Sequence, residues 1–130
     1  MKTEKTEKPL SGSTLVKAIT ASLEEAIARN IVVINLKKLP SAADWFIICE
    51  SDNDAHIRAC ANRVLVDLGE KHTKPWQKEG LEEGRWVLLD YSDVVVHIML
   101  DELREYYNLE ELWSEGSIKE IESSFVSTEA

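Results

Sequence analysis

The chain has 130 residues, of which 44% are hydrophobic and 30% charged, and this length and balance fit one domain around one hydrophobic core. Its net charge of −9 would repel a phosphate backbone, so the composition argues against specific nucleic-acid binding. No apolar run approaches the roughly 18 residues of a membrane-spanning helix, and the opening segment mixes Lys with Glu, unlike a signal peptide. We therefore expect a soluble, cytoplasmic protein without a membrane partner.

The lead and the first helix come first along the chain. Residues 1–12 are polar and predict a flexible lead, after which Ser11 or Ser13 caps a helix. Apolar residues then recur at helical spacing up to Asn30. They are Leu15, Ile19, Leu23, Ala26 and Ile27. This stripe predicts one amphipathic helix.

Two strands and a second helix follow. The apolar, β-branched runs at residues 31–34 and 45–49 are too short for helices and predict buried strands. Residues 52–54 offer polar cap candidates, and helical spacing of apolar residues resumes from there to Gly69. Cys49 and Cys60 fall within these apolar stretches without C-x-x-C spacing, which predicts reduced core thiols and agrees with a cytosolic location.

The second half of the chain is richer in strands. Residues 71–85 contain enough Pro and Gly for a loop, with one short strand near Trp76. The runs at 86–89 and 94–99 predict a β-hairpin, and the residues after them predict a short helix and a helical turn. Residues 115–130 read as an acidic tail, within a stretch that holds nine acids and two bases from residue 101 onward.

The order of these elements predicts the fold class. A helix, two strands, a helix, two or three strands and a helix favour an α/β domain with a small mixed β-sheet and helices packed on it. The hairpin must be antiparallel, whereas the strands on either side of the second helix could be parallel. The domain is expected to span residues 13–114.

The predicted hairpin sorts its residues into two faces. A loop of two or four residues places Leu89 opposite Val94, and alternate residues then share a face. One face is aliphatic and is predicted to lie in the core: Val87, Leu89, Val94, Val96 and Ile98. The other face is mixed: Trp86, Leu88, Asp90, Asp93, Val95 and His97. An aromatic residue beside carboxylates and an imidazole is typical of a protein interface.

A structural interpretation of the mixed face stays open beside the functional one. A helix could cover Trp86 and Val95, while Asp90 and Asp93 serve only the turn. His97 would then be a satisfied structural histidine. Under that interpretation the hairpin holds the fold together and the binding surface lies elsewhere.

The sequence offers little for catalysis. Asp52 and Asp54 form a D-x-D pair that could hold Mg²⁺, but no glycine-rich phosphate loop follows a strand, and Asp54 is better explained as a helix cap. The three histidines, His56, His72 and His97, lack zinc-ligand spacing, and there is no G-x-S-x-G motif. We expect a protein that is not an enzyme and that needs no metal or cofactor.

Several motifs together resemble the Iojap family of ribosomal silencing factors. They are Lys74-Pro75-Trp76, Glu79-Gly80, WVLLDYSDVVVH at 86–97, SAADWFII at 41–48, His56, and YYNLEELW at 106–113. The resemblance covers residues 13–114. Two departures are Ser92, where the family usually has glycine, and the segment 49–54, which replaces an Ala-Thr-Gly-x-Ser stretch. Ser92 is expected to alter the turn dihedrals only slightly.

The resemblance implies a fold, a partner and a mechanism. Members of the family have a nucleotidyltransferase-like fold without its chemistry, and at least some are homodimers. They bind the large ribosomal subunit at its fourteenth protein and obstruct joining with the small subunit, which lowers translation when nutrients are scarce. Organellar relatives are associated with large-subunit assembly. Three hypotheses follow: a subunit-joining repressor, a large-subunit assembly factor, and a residual Mg²⁺-dependent nucleotidyltransferase.

The expected partner-binding residues lie on and near the hairpin. We expect Trp86 and Tyr91 to anchor the ribosomal protein, with Asp90 and Asp93 as partners for its basic side chains. Three further residues are expected to flank them: Trp76, Glu79 and His97.

Overall fold

The computed structural model describes residues 8–121. It contains α1 (Gly12–Glu25), β1 (Arg29–Asn35), β2 (Trp45–Ser51), α2 (Asp54–Gly69), β3 (Gln77–Glu79), β4 (Trp86–Asp90), β5 (Val94–Leu100), α3 (Asp101–Tyr107), α4 (Leu109–Leu112) and β6 (Ser117–Glu120). Within this part of the chain, no helix is both long and apolar enough to cross a bilayer.

The first helix is shorter than the sequence predicts. It ends at Glu25, and the expected continuation to Asn30 is wrong because Ile27 adopts a left-handed conformation with φ of 66°. The backbone N–H of Ile27 donates to the carbonyl of Glu24, and the N–H of Ala28 donates to that of Leu23. These two bonds close the helix end in a Schellman arrangement. The chain then turns directly into β1.

The cap of the second helix is one of the three candidates at residues 52–54. Asn53 is the cap, and its side chain accepts a hydrogen bond from the backbone N–H of His56. Asp54 is instead the first residue of the helix, where its negative charge favours the positive end of the helix dipole. The assignment of Asp54 as the cap is therefore wrong, although the helix itself runs to Gly69 as predicted.

The strands form a single mixed sheet, as the sequence predicts. Its order is β3-β4-β5-β2-β1-β6, with β2 and β5 parallel and every other neighbouring pair antiparallel. The crossover between β2 and β5 passes through α2, β3 and β4, and these two strands, which are mostly buried, lie together at the centre of the sheet. The prediction of a small α/β domain is confirmed.

One face of the sheet is packed against α1 and α2 and forms the main core. The five aliphatic hairpin residues assigned to the core are all fully buried there: Val87, Leu89, Val94, Val96 and Ile98. Cys49 and Cys60 are buried in the same cluster as free thiols. Burial removes the thiolate from solvent, so it raises the pKa of Cys60 to about 11 and moves that of Cys49 in the same direction.

The hairpin register differs from the prediction by two residues. Leu89 pairs with Val96, and Val94 closes the loop by accepting a hydrogen bond from the N–H of Tyr91. The predicted pairing of Leu89 with Val94 is wrong. Because the shift is an even number, the paired side chains of β4 and β5 stay on their predicted faces. Asp93 does not, because it lies outside both strands and its carboxylate contacts the amino end of α1, which packs on the opposite face. Ser92 at the tip adopts φ of 82°, which favours glycine, and its N–H donates to the side chain of Asp90.

The last strand lies in the segment that the sequence presents as an acidic tail. Of residues 115–130, the structure describes those up to Ile121, and among them β6 pairs antiparallel with β1. All four residues of β6 are exposed, and with Ile118 as the one apolar residue among them the sequence shows no apolar alternation that would mark a strand. The expectations for residues 1–7 of the lead and for 122–130 of the tail lie outside the described residues.

Candidate partner-binding face

The second face of the sheet is only partly covered. Residues paired across neighbouring strands point to the same side, so the pairings define two rows on this face. The first row is Glu79, Leu88, His97, Ile48, Val32 and Glu120, and the second is Gln77, Asp90, Val95, Phe46, Ile34 and Ile118. Both rows begin on the β3 edge and end on the β6 edge. The two rows include the candidate residues Glu79, Asp90 and His97, and a fourth candidate, Trp86, lies on the same face opposite Met99.

The helices α3 and α4 cover one part of this face. They pack on a second apolar cluster whose buried members are Val32, Ile34, Leu36, Ile48 and Met99. Trp113 contacts Phe46 edge to face at 5.6 Å between ring centroids, and Tyr107 lies 5.0 Å from Trp86. Part of the structural interpretation is thus correct, because helices do cover Trp86.

A buried arginine fixes α3 and α4 in place. Arg104 donates from Nη1 to the carbonyl of Asn30 at 2.6 Å and to Glu50 at 3.0 Å. Its Nε and Nη2 both donate to the carboxylate of Glu110, at 2.9 and 2.5 Å. One guanidinium thereby joins α3, α4, β1 and β2. Sequence reasoning missed this residue, since nothing in the local pattern distinguishes Arg104 from an exposed helical base.

His97 lies beneath the helices and not on the surface. It is 5% exposed, its Nδ1 accepts a hydrogen bond from Trp86 Nε1 at 3.1 Å, and the ring of Phe46 stands 4.8 Å away. Its Nε2 has no hydrogen-bond partner among the described residues. Because burial penalises the charged imidazolium, the pKa of His97 falls to about 4. His97 is therefore neutral at physiological pH and positions Trp86.

Tyr91 also faces the interior. It is 7% exposed and belongs to the main core under α1 and α2, on the opposite side of the sheet from Trp86. Burial of its hydroxyl raises the pKa of Tyr91 to about 12. The structure thus separates Tyr91 and Trp86, the two expected anchors, onto different faces.

The two aspartates of the hairpin serve the turn and the first helix. Asp90 accepts from the N–H of Ser92 at 2.8 Å, while Asp93 accepts from the N–H of Gly12 at 2.7 Å. Asp93 therefore places a negative charge at the amino end of α1, where the helix dipole favours it. Asp90 lies in the second row beside Val95 and remains partly exposed.

The remaining two candidates lie on the β3 side. Glu79 is exposed at the start of the first row and accepts a hydrogen bond from Gln77. Trp76 precedes β3 and is 70% exposed, an exposed fraction exceeded among the large apolar side chains of the described region only by those of Tyr106 and Leu112. Its backbone N–H donates to the carbonyl of Asp90, which ties the residue to the end of β4.

The uncovered part of the face forms one continuous surface. We call it the open half-face and define it by its five residues: Gln77, Glu79, Leu88, Asp90 and Val95. Leu88 and Val95 are partly exposed apolar side chains, and Glu79 and Asp90 are its carboxylates. Tyr107 and Trp113 border it through their contacts with Trp86 and Phe46. An apolar floor with acidic groups and an aromatic border suits a basic protein partner.

The groups considered for catalysis are engaged in the fold. His56 lies with its Nδ1 2.7 Å from the hydroxyl of Ser51, which is 1% exposed, and its Nε2 contacts the carbonyl of Ala26. Asp54 forms an ion pair with Arg58 at 3.3 Å. Across residues 8–121, no group of three or more His, Cys, Asp or Glu side chains is arranged to hold a metal ion.

Comparisons with known proteins identify the family. Residues 9–130 match the family model described as "Ribosomal silencing factor during starvation". The chain is 30% identical to a ribosomal silencing factor of Bacillus subtilis, over 87% of this chain and 96% of the relative. It is 38% identical to one of Chromobacterium violaceum, over 75% of this chain and 80% of the relative.

A solved structure and an organellar relative extend this result. A crystal structure of a Chromobacterium violaceum protein is similar with a TM-score of 0.78 and 35% identity, covering 81% of this chain and 88% of that one. A mouse protein named "Mitochondrial assembly of ribosomal large subunit protein 1" is 33% identical over 76% of this chain, which matches 45% of the mouse protein. The family model and the bacterial relatives together show that the chain belongs to the ribosomal silencing factor family.

Proposed function

We propose that this protein represses translation by binding the large ribosomal subunit through its fourteenth protein and sterically blocking the small subunit. Membership of the ribosomal silencing factor family is the observation that carries the proposal. A steric mechanism requires occupancy alone, so it needs no catalytic group and no cofactor. We place this activity in the cytoplasm, where bacterial subunits join, and we expect the protein to act as a homodimer, as the family resemblance implies.

The open half-face is the contact surface we propose for the ribosomal protein. Its apolar floor, Leu88 and Val95, offers area to bury, while Glu79 and Asp90 offer charges to basic side chains. Trp86 lies on the same face of β4 as Leu88, and its Nε1 donates a hydrogen bond to His97 that fixes the indole. We therefore retain Glu79, Asp90 and Trp86 from the expected residues, and we assign His97 and Tyr91 supporting roles in the interior.

The test uses one charge reversal and a matched control. Glu79→Lys reverses a charge at the β3 end of the first row, and Glu120→Lys makes the same change at the β6 end of that row. Both side chains are exposed, so neither variant should unfold. In co-sedimentation with separated subunits, we expect native protein to bind the large subunit alone. Glu79→Lys should bind about tenfold more weakly, and Glu120→Lys as native.

Two outcomes would contradict this proposal in different ways. If native protein sediments with neither subunit at low salt, the ribosomal function is wrong. If Glu79→Lys and Glu120→Lys bind equally well, the function stands and the contact surface lies elsewhere. Adding small subunits to the complex completes the test, since a repressor must reduce the fraction of joined ribosomes in a sucrose gradient.

Assembly of the large subunit is a second candidate function. The name of the mouse relative carries this alternative. An assembly factor would prefer precursor particles over mature large subunits, and loss of its gene would cause immature particles to accumulate. A repressor would bind mature subunits, and loss of its gene would leave the subunits mature.

A further inference from the structure

A short basic segment stands out in this acidic chain. Residues 71–78 hold three lysines, Lys71, Lys74 and Lys78, and no carboxylate, although the whole chain has a net charge of −9. All three lysines are exposed, and Trp76 between them is 70% exposed. We call residues 71–78 the basic segment.

The lysine charges of this segment are available to a partner. Four arginines of the protein, at positions 29, 58, 63 and 104, form ion pairs with carboxylates. By contrast, among residues 8–121, no salt bridge joins Lys71, Lys74 or Lys78 to an acid. Binding to an anion would therefore break no ion pair of these lysines in the described structure.

The backbone of the segment is held in place. Thr73 is 3% exposed, and its Oγ1 donates to the carbonyl of Lys71 while accepting from the N–H of Leu10. Its N–H donates to Leu68 at the end of α2, and the N–H of Trp76 donates to Asp90. Pro75 restricts φ between these anchors. Because the backbone is already ordered, binding costs less conformational entropy.

Lysines beside an exposed indole match the chemistry of RNA. The ammonium groups bind phosphates, and an indole ring stacks on an unpaired base. The segment leads into β3, whose Gln77 and Glu79 belong to the open half-face. Lys78 pairs with Leu89, so its side chain points to the other side of the sheet at the β3 edge. A chain seated by the open half-face on a ribosomal protein would therefore hold the basic segment at the edge of that contact, where ribosomal RNA is the abundant polyanion.

We propose that the basic segment binds ribosomal RNA of the large subunit, with Lys71, Lys74 and Lys78 on phosphates and Trp76 on a base. This inference rests on the proposed function and adds a second contact to it. It departs from the expectation, based on net charge, that the protein makes no specific contact with nucleic acid. It also assigns Trp76 to RNA, whereas the sequence placed it against the ribosomal protein.

The test measures the salt dependence of binding to purified large subunits. The double variant Lys74→Gln, Lys78→Gln removes two charges of the segment, and Lys38→Gln, Lys119→Gln removes two exposed charges elsewhere. Affinity for a polyanion falls as salt rises, and each lost phosphate contact reduces the magnitude of the slope of log affinity against log salt by roughly 0.7 to 0.9. We expect a decrease of about 1.5 in the first variant and no change in the second.

Trp76→Ala tests the base contact separately. Loss of one stacked base should weaken binding to the large subunit roughly five- to a hundredfold. The indole is exposed, so thermal unfolding should match that of the native protein. Ultraviolet cross-linking of native complexes should yield a nucleotide adduct on the peptide that contains Trp76.

A protein-only control separates RNA from protein contact. The lysine double variant should bind the isolated fourteenth ribosomal protein as tightly as the native chain does. If the double variant loses as much affinity for the isolated protein as for the whole large subunit, the segment contacts protein and the inference is overturned. If the lysine double variant has the same salt slope as native protein on whole large subunits, the inference is also overturned, while the proposed function stands. If native protein fails to bind large subunits, both proposals fall.

Discussion

The two faces of the sheet differ in how completely they are covered. α1 and α2 pack against the first face, where the hairpin residues Val87, Leu89, Val94, Val96 and Ile98 are fully buried. On the second face, α3 and α4 pack near β2 and β5, and Leu88 and Val95 remain partly exposed. Covering a sheet face stabilises the fold, whereas a partly apolar, uncovered face is available to a partner. Stability and binding should therefore separate by face.

The largest effect on stability is expected at Arg104. Arg104→Met removes a cation that is 8% exposed and leaves the carboxylates of Glu50 and Glu110 without it, which costs roughly 3 to 5 kcal/mol. Arg29→Met breaks an exposed ion pair with Asp101 and should cost at most about 1 kcal/mol. Urea unfolding of the two variants measures this difference. Equal costs would mean that Arg104 does not hold α3 and α4 on the sheet.

Two neighbouring leucines of β4 sharpen the comparison between the faces. Leu89 is fully buried in the main core, and Leu89→Ala should cost roughly 2 to 5 kcal/mol. Leu88 points to the open half-face, so Leu88→Ala should cost about 1 kcal/mol or less while weakening binding to the large subunit. Denaturant midpoints and co-sedimentation of both variants give the two readouts. A comparable stability loss at Leu88 would show that this face is closed.

The sequence predicted which hairpin residues share a face of the sheet better than which helices pack on each face. An alternation of two residues survives any even register shift, so the core residues of the hairpin were correct although the pairing of Leu89 was not. The roles of His97 and Tyr91 depend on which helices pack on the two faces of the sheet. The alternation of residues along the hairpin gives no information about the position of those helices. Arg104 donates a hydrogen bond to Asn30, which lies 74 positions earlier in the chain, and only the tertiary structure brings the two residues together.

The buried imidazole makes the covered part of the second face sensitive to acid. The pKa of His97 is about 4 in the folded protein and roughly 6.5 when unfolded, so the unfolded state takes up a proton first as pH falls. Stability is therefore complete above about pH 6.5 and decreases towards pH 4, by about 3 kcal/mol in total.

His97→Gln isolates this contribution. A glutamine side chain can accept from Trp86 Nε1 without titrating, so the variant should lose less stability than native protein between pH 6.5 and pH 4. Carboxylates titrate in both proteins and cancel in the difference. Chemical denaturation at several pH values provides the measurement, and identical profiles would show that His97 does not titrate in this way.

The smallest effect is expected at a residue of the hairpin tip that touches neither face. Ser92 holds φ of 82°, a conformation that strains an L-residue but not glycine. Ser92→Gly should raise the free energy of unfolding by about 0.5 to 1 kcal/mol, because relief of strain exceeds the added entropy of the unfolded chain. Ser11→Gly, at an exposed position with extended backbone, is the control and should give no such gain. Thermal unfolding measures both. If Ser92→Gly destabilises the protein, the tip is not strained, and the hydrogen bond from the Ser92 N–H to Asp90 suffices to set the turn without help from glycine.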